Sequence, residues 1–219
     1  MGPSYDIMNV TTSFGFSEIW RAQCIRNLTI PDGATIADLM AGSGECWTYL
    51  RRPVRAGGKI IAVDISPVMC ARQKCRVQCL DMPVDIRCEN ALKLSLPDGS
   101  VDFIISVFGL KTFAPTQLSQ LANEMFRILR ACGSCSLLEI SMPSSEWLRI
   151  PYRFYIRHVI PIFGRLFLKD IECYKMLGVY TEAFGSCLRV IEYFQNAGFD
   201  VTSKSHFFGC ATSIILTKK

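Results

Sequence analysis

"IADLMAGSGECW", residues 36–47, is an apolar run that stops at an acid and then breaks into Gly42-Ser43-Gly44. Glycine removes the Cβ obstruction and tolerates positive φ, so such a loop lets a ligand lie against the backbone. A strand running into a glycine-rich turn and then a helix is a nucleotide-binding layout. The rest of the chain has to say which ligand.

Working outward, strands alternate with helical patterns, which implies a mostly parallel sheet covered on both faces. The strand segments are "ATIADLM" (34–40), "KIIAVDI" (59–65), "VDIRCEN" (84–90), "VDFIISVFG" (101–109) and "SCSLLEIS" (134–141). The clearest helix is "PTQLSQLANEMFRILRA", where Leu118, Leu121, Met125, Ile128 and Leu129 recur at helical spacing. "FDVTSKSHFF" and "CATSIILTK" are joined through Gly209 with too little chain for a crossover, so they are expected to pair antiparallel. Residues 1–30 form an N-terminal cap with a helix around "SEIWRAQCIRNL". Residues 143–185 form an insertion of helical pieces broken by Pro151, Pro161, Gly164 and Gly178, expected to cover the acceptor.

The second strand ends at Asp64, where a carboxylate can accept both ribose hydroxyls. A dinucleotide fingerprint would place a third glycine at position 47 to seat the helix beside a pyrophosphate; the chain has Trp47. That argues for a ligand without phosphates. S-adenosylmethionine fits: adenine, ribose and a methionine arm. Asn90 and Ala91, at the end of the third strand, are placed to meet the adenine edge with an amide and a backbone N–H. The fourth strand forms the opposite wall.

Length and composition set outer bounds. At 219 residues, half of them apolar, the chain reads as a single domain, 1–219. A net charge of +5 is too small an excess for a dedicated nucleic-acid binder. Since no apolar run approaches the roughly 18 residues of a spanning helix and "MGPSYDIMN" lacks a secretory layout, the expectation is a soluble, cytoplasmic protein. Eleven scattered cysteines read as free thiols in a reducing compartment. Cys70, Cys75, Cys79 and Cys88 cluster, and Cys132 and Cys135 have a zinc-like gap, but only that one pair has the spacing, so no metal is expected.

Several motifs are more specific than the glycine loop: "YDIMNVTTSFGFSEIWR", "DLMAGSGE", "VDISPVM", "ENALKLSLPDGSVDFIISVFGL", "EMFRILR" and "RHVIPIFGRLF". On these the chain resembles the class I S-adenosylmethionine-dependent methyltransferases, and within them the ubiquinone/menaquinone-biosynthesis C-methyltransferases, nearly end to end. The resemblance implies a Rossmann-like α/β fold, with a mostly parallel seven-stranded sheet ending in an antiparallel hairpin and helices on both faces. It implies S-adenosyl-L-methionine as cofactor and S-adenosyl-L-homocysteine as product. Ala41, Gly42, Ser43 and Gly44 would then bind the methionine arm, Asp64 and Ile65 the ribose side, Asn90 and Ala91 the adenine, with Val107 on the facing wall. Tyr5 and Arg21 carry over as lid and carboxylate contacts. After "FGL" the family usually has Arg-Asn; this chain has Lys111 and Thr112, an ammonium and a short hydroxyl in place of a planar fork and an amide. Its Ala131-Cys132-Gly133 stands where Pro-Gly-Gly is usual.

A carbon acceptor on a hydroquinone needs a phenolic proton removed, by a base or a positioned water. His158, in "RHVIP", is the first candidate base; Lys111 and Glu139, at strand ends facing the crevice, are second. The expected function is methylation of a small, apolar aromatic or quinol-like molecule, with O- or N-methylation and a non-catalytic cofactor-binding scaffold as alternatives. Arg149, Arg153 and Arg157 beside Trp147, Phe154 and Tyr155 would give a helix a basic stripe next to aromatic surface, suited to peripheral membrane contact through 147–169 or to a solvated face. The chain is expected to be a monomer or homodimer.

Overall fold

A computed structural model describes residues 13, 15–143, 145–160, 162, 179–182 and 184–219. Its strands are β1 (Thr35–Leu39), β2 (Lys59–Val63), β3 (Val84–Arg87), β4 (Val101–Val107), β5 (Leu129–Ile140), β6 (Asp200–His206) and β7 (Ala211–Thr217). They form one sheet in the order β3-β2-β1-β4-β5-β7-β6. β1 to β5 pair in parallel, whereas β7 runs antiparallel to both β5 and β6. This is the expected sheet, closed by the expected hairpin. The helices are α1 (Phe16–Arg26), α2 (Arg51–Arg55), α3 (Pro67–Leu80), α4 (Pro115–Ile128), α5 (Glu146–Phe154) and α6 (Ile191–Asn196).

Period-two alternation along the central strands builds two cores. Ile36, Ile60, Ala62 and Ile105 face one side, packing with Ile25, Trp47, Leu50, Val54 and Leu80. Ala37, Leu39, Ile61, Val63, Ile104 and Leu137 face the other, against Leu118, Leu121 and Met125 of α4 and Phe194 of α6. α3 begins where its sequence says it should, with Ser66 as N-cap accepting from the Met69 N–H at 3.4 Å and Pro67 in the first turn.

One boundary differs from expectation. The helix ending near 131 and the strand beginning at 134 meet directly, α4 stopping at Ile128 and β5 starting at Leu129. Lys218 Nζ donates to the carbonyls of Phe126 at 2.6 Å and Leu129 at 2.8 Å, placing a cation at the carboxyl end of the helix. A shift in register between Val101 and Phe103 absorbs Arg130–Gly133, with Cys132 at φ 62°.

β1, β2 and β3 stop before the polar residues predicted to bind, so Gly42, Asp64 and Asn90 all lie past the carboxyl ends of parallel strands. That crevice is where ligands bind in open sheets of this kind.

Candidate active site

The loop after β1 is held from several directions. Ala41 N–H donates to Val63 O at 3.0 Å, and Gly42 N–H donates to Asp64 Oδ2 at 2.8 Å. Gln73 Nε2, from α3, donates to Gly42 O at 2.8 Å. Gly42 and Gly44 have φ of 58° and 83°, which only glycine adopts without strain. A Cβ on Gly44 would lie 2.7 Å from the Trp47 ring. Trp47 is fully buried in the short 3-10 helix Glu45–Leu50, and its Nε1 donates to Asp38 Oδ2 at 2.9 Å. The indole therefore fills the space beneath the loop, as a wedge pinned to β1.

Asp38 was the acid that ended the opening apolar run, and its role was missed. Burial pushes its carboxyl up to about 8, opposed by the Trp47 hydrogen bond and reinforced by Glu45 and Asp64. The sequence signal was an acid followed nine positions later by tryptophan across a glycine loop.

Asp64 is half-buried and already oriented, since Ser66 N–H donates to its Oδ1 at 2.9 Å while Gly42 N–H takes Oδ2. Each carboxylate oxygen keeps a further lone pair. Ile65 next to it is exposed, and Ala91 is buried. Asn90 Oδ1 accepts from Leu92 N–H at 3.0 Å, so its acceptor end caps a local turn and its amide donors remain for a ligand.

Beside the loop opens a cavity of about 510 Å³. Met40, Ala41, Gly42 and Ser43 line one side, Phe16, Trp20 and Arg21 of α1 another, and Val107, Phe108, Lys111 and Ile140 the sheet end. The insertion adds Tyr152, Tyr155, Ile156, Ile160 and Tyr180, and the β6–β7 turn adds Phe207. Arg21 is buried, pairs with Glu18, and lies 4.0 Å from Glu45 and 5.5 Å from the Phe108 ring centre. Of the residues picked out by sequence, Arg21, Ala41, Gly42, Ser43, Val107 and Lys111 reach this cavity. Asp64, Ile65, Asn90 and Ala91 line the neighbouring strand ends, Gly44 supports the loop from behind, and Tyr5 lies outside the described residues.

The candidate bases occupy three different settings. His158 is exposed and stacks on Phe154 with ring centres 5.1 Å apart, outside the cavity. Glu139 is fully buried behind Lys111, whose Nζ donates to Glu139 Oε1 at 2.9 Å and to Phe108 O at 2.5 Å. Glu139 also accepts from the N–H groups of Lys111 at 3.1 Å and Ile140 at 2.8 Å. Two candidate bases are thus one buried ion pair, of which only the ammonium reaches the cavity. Thr112 turns its hydroxyl to Gly109 O at 2.7 Å. Burial raises the phenol pKa of both Tyr152 and Tyr155, which keeps them protonated donors.

The donor set fits S-adenosylmethionine: a guanidinium for a carboxylate, backbone left bare by glycine, an oriented carboxylate for vicinal hydroxyls, and apolar flanks. Comparison with known proteins agrees. The family model described as the ubiE/COQ5 methyltransferase family matches residues 1–218. A demethylmenaquinone methyltransferase of Lactiplantibacillus plantarum is 31% identical over 222 residues, covering 100% of this chain and 93% of that protein. One from Listeria monocytogenes is 29% identical, covering 100% and 92%. Among solved structures, a SAM-dependent methyltransferase from Aquifex aeolicus superposes with a TM-score of 0.65 at 18% identity, over 91% of this chain and 89% of that one, a likeness of fold. On the match over nearly its whole length, the chain belongs to the ubiE/COQ5 family, and it is an S-adenosylmethionine-dependent methyltransferase.

Proposed function

We propose that the chain transfers the methyl group to a ring carbon of an apolar, hydroquinone-like acceptor. The observation that carries this reading is one continuous cavity in which the glycine loop meets an aromatic wall and a single buried ammonium, Lys111. The demethylmenaquinone methyltransferases among its relatives support the same acceptor class.

S-adenosylmethionine supplies, when bound, a methyl group made electrophilic by the sulfonium. The chain's own work is positioning and exclusion of water. Gly42 and Ser43 leave room for the methionine arm, and Arg21 offers its charge to the carboxylate. Asp64 accepts the ribose hydroxyls on its free lone pairs, while Ile65, Ala91 and Val107 flank the adenine and Asn90 addresses its edge. Trp20, Phe108, Tyr152, Tyr155 and Ile156 enclose the acceptor ring. Lys111 Nζ, with one N–H left after Glu139 and Phe108 O, donates to a ring hydroxyl. An ammonium there favours the phenolate and so raises electron density at the ring carbon. Glu139 is a positioning residue that holds the ammonium in place.

The mouth of the cavity suits an anionic membrane surface as the source of such an acceptor. α5 exposes Trp147, Ile150 and Phe154 to solvent, Trp147 at 90%. Arg153 and Arg157 share one carboxylate, Glu182, at 3.6 and 3.9 Å, which leaves the helix a net positive flank. Phe208 is 77% exposed at φ 54°, an aromatic held outward by strained backbone. Apolar side chains with flanking arginines are the interfacial pattern.

The deciding experiment is incubation with methyl-labelled cofactor and a panel of hydroquinones, phenols and amines. A C-methylated hydroquinone is the expected product. An O- or N-methylated product would replace this reading with the corresponding transferase, and cofactor binding without transfer to any of them would leave a scaffold.

A further inference from the structure

Two thiols meet beneath the strand end that carries Asp64. Cys70, in the first turn of α3, donates to the Asp64 carbonyl at 3.5 Å, and Cys88, the first residue after β3, donates to the Ile65 carbonyl at 3.8 Å. The two acceptors are the carbonyls of consecutive residues, so both sulfurs lie at one turn. Sheet register explains the meeting, since Val63 pairs with Arg87 and the next residues of both strands emerge side by side. Cys70 is buried and Cys88 is exposed. Among the described residues no third His, Cys, Asp or Glu joins them as a group able to hold a metal. The chemistry left to such a pair is oxidation.

We propose that Cys70 and Cys88 are a disulfide-forming modification site that responds to hydroperoxides and, when linked, closes the ribose and adenine end of the cofactor site. The second half rests on the placing of Asp64 and Asn90 at that end. The steps balance. The Cys88 sulfur attacks a peroxide oxygen, the O–O bond breaks, and sulfenic acid and one water form as the peroxide takes two electrons. The Cys70 sulfur then attacks the Cys88 sulfur, its proton leaves with the displaced hydroxide as a second water, and the S–S bond is made. Two thiols and one hydrogen peroxide become one disulfide and two waters.

The two cysteines divide these roles by environment. Cys88 meets solvent and any peroxide in it. Burial, with Cys88 adding to it, pushes the Cys70 thiol up to about 11, so Cys88 is the sulfur oxidised first, and Cys70 acts as the resolving partner when it gives up its proton in the second step. A disulfide fixes the sulfurs about 2.05 Å apart and so ties the first turn of α3 to the turn after β3. The first of these carries Ser66, whose N–H orients Asp64 Oδ1, and the second leads into Asn90. The bond also withdraws both thiols from the Asp64 and Ile65 carbonyls.

The test uses the full reduced chain treated with hydrogen peroxide, then split between peptide mass mapping and calorimetric titration with S-adenosylmethionine. The expected result is a Cys70–Cys88 linked peptide, lighter by two hydrogens, with affinity lowered by about tenfold or more and regained on reduction. Cys88→Ser should bind the cofactor normally and keep its affinity after peroxide, and Cys70→Ala should stop at the sulfenic acid. Oxidation of exposed Cys75 and Cys79 without the linked peptide would overturn the proposal, as would a linked chain that binds as tightly as the reduced one. Reduced protein that does not bind at all would overturn the reading of the Asp64 site, and the affinity half of the proposal with it, while the linked peptide is scored independently.

Discussion

The two sides of the cavity are built by different means. The strand-end side is fixed by backbone: Ala41 to Val63, Gly42 to Asp64, Ser66 to Asp64, each within 3.0 Å of its partner. The insertion side depends on which face α5 turns inward. Tyr152, Ile156 and Ile160 face the cavity at steps of four, and Ile150, Phe154 and His158 face solvent at the same steps. Tyr155–Val159 is a wide π turn, following Pro151 inside the helix. An extra residue in a turn rotates everything beyond it by about 100°, so one turn decides which side chains meet the acceptor. The first kind of construction tolerates no slip, and the second is set by a single local choice.

Lys111 stands where the two sides join, and its loss should have the largest effect. Lys111→Met leaves Glu139 charged, buried and unpaired, which should lower unfolding free energy by about 3–5 kcal/mol. Adding Glu139→Gln should recover most of that stability in denaturant titration without recovering methyl transfer. Full activity in the double variant would remove the ammonium from the proposed chemistry and leave positioning alone.

The strand-end side predicts the next effect. Asp64→Ala removes the acceptor for the ribose hydroxyls and strands the N–H groups of Gly42 and Ser66, so cofactor affinity should fall by about 1.5–3 kcal/mol. Calorimetric titration measures it. Unchanged affinity would mean that the carboxylate merely ties the loop down.

This contrast also explains what the sequence disclosed. Glycines at a strand end, an acid at the end of the next strand and an amide after the third are readable because parallel strands bring their carboxyl ends to one edge, whatever the packing beneath. Asp38 escaped notice because its partner, Trp47, was read for what it excludes and not for the hydrogen bond its indole needs when buried. Lys111 and Glu139 looked like separate candidates because a separation of 28 positions hides that β4 and β5 are neighbours, with Val107 beside Leu138. His158 was chosen by motif, and a motif carries no helical phase. Tyr155 and Ile156, three and two residues earlier, line the cavity instead.

Asp38 offers a pH-dependent measure of the strand-end side. Its folded value of about 8 lies above the roughly 3.9 of an unfolded aspartate, so the folded chain holds a proton that the unfolded chain releases. Its contribution is fully present below about pH 4 and is lost as pH rises through about 8, with a slope of at most about 1.4 kcal/mol per pH unit. Asp38→Asn keeps an acceptor for Trp47 Nε1 and cannot ionise. The decline of the thermal midpoint between pH 5 and 8 should therefore be shallower in the variant. Parallel slopes would mean that Arg21 and the indole hold Asp38 ionised throughout.

The smallest effect is the sharpest check on the insertion side. His158 is exposed and touches Phe154, and a substitution at such a position usually stays within about 0.5 kcal/mol, roughly a factor of two in rate. If it were the base, His158→Gln would cost about 10²–10⁴-fold in turnover. The expected outcome is turnover within about twofold of the parent, with the same pH profile and the same cofactor affinity. Tyr155→Leu, measured alongside, should raise the acceptor KM, because that side chain lines the cavity three positions away. A large loss at His158 together with none at Tyr155 would show that α5 turns its other face inward when both ligands are bound. The π turn at Tyr155–Val159 would then be the place where that rotation occurs.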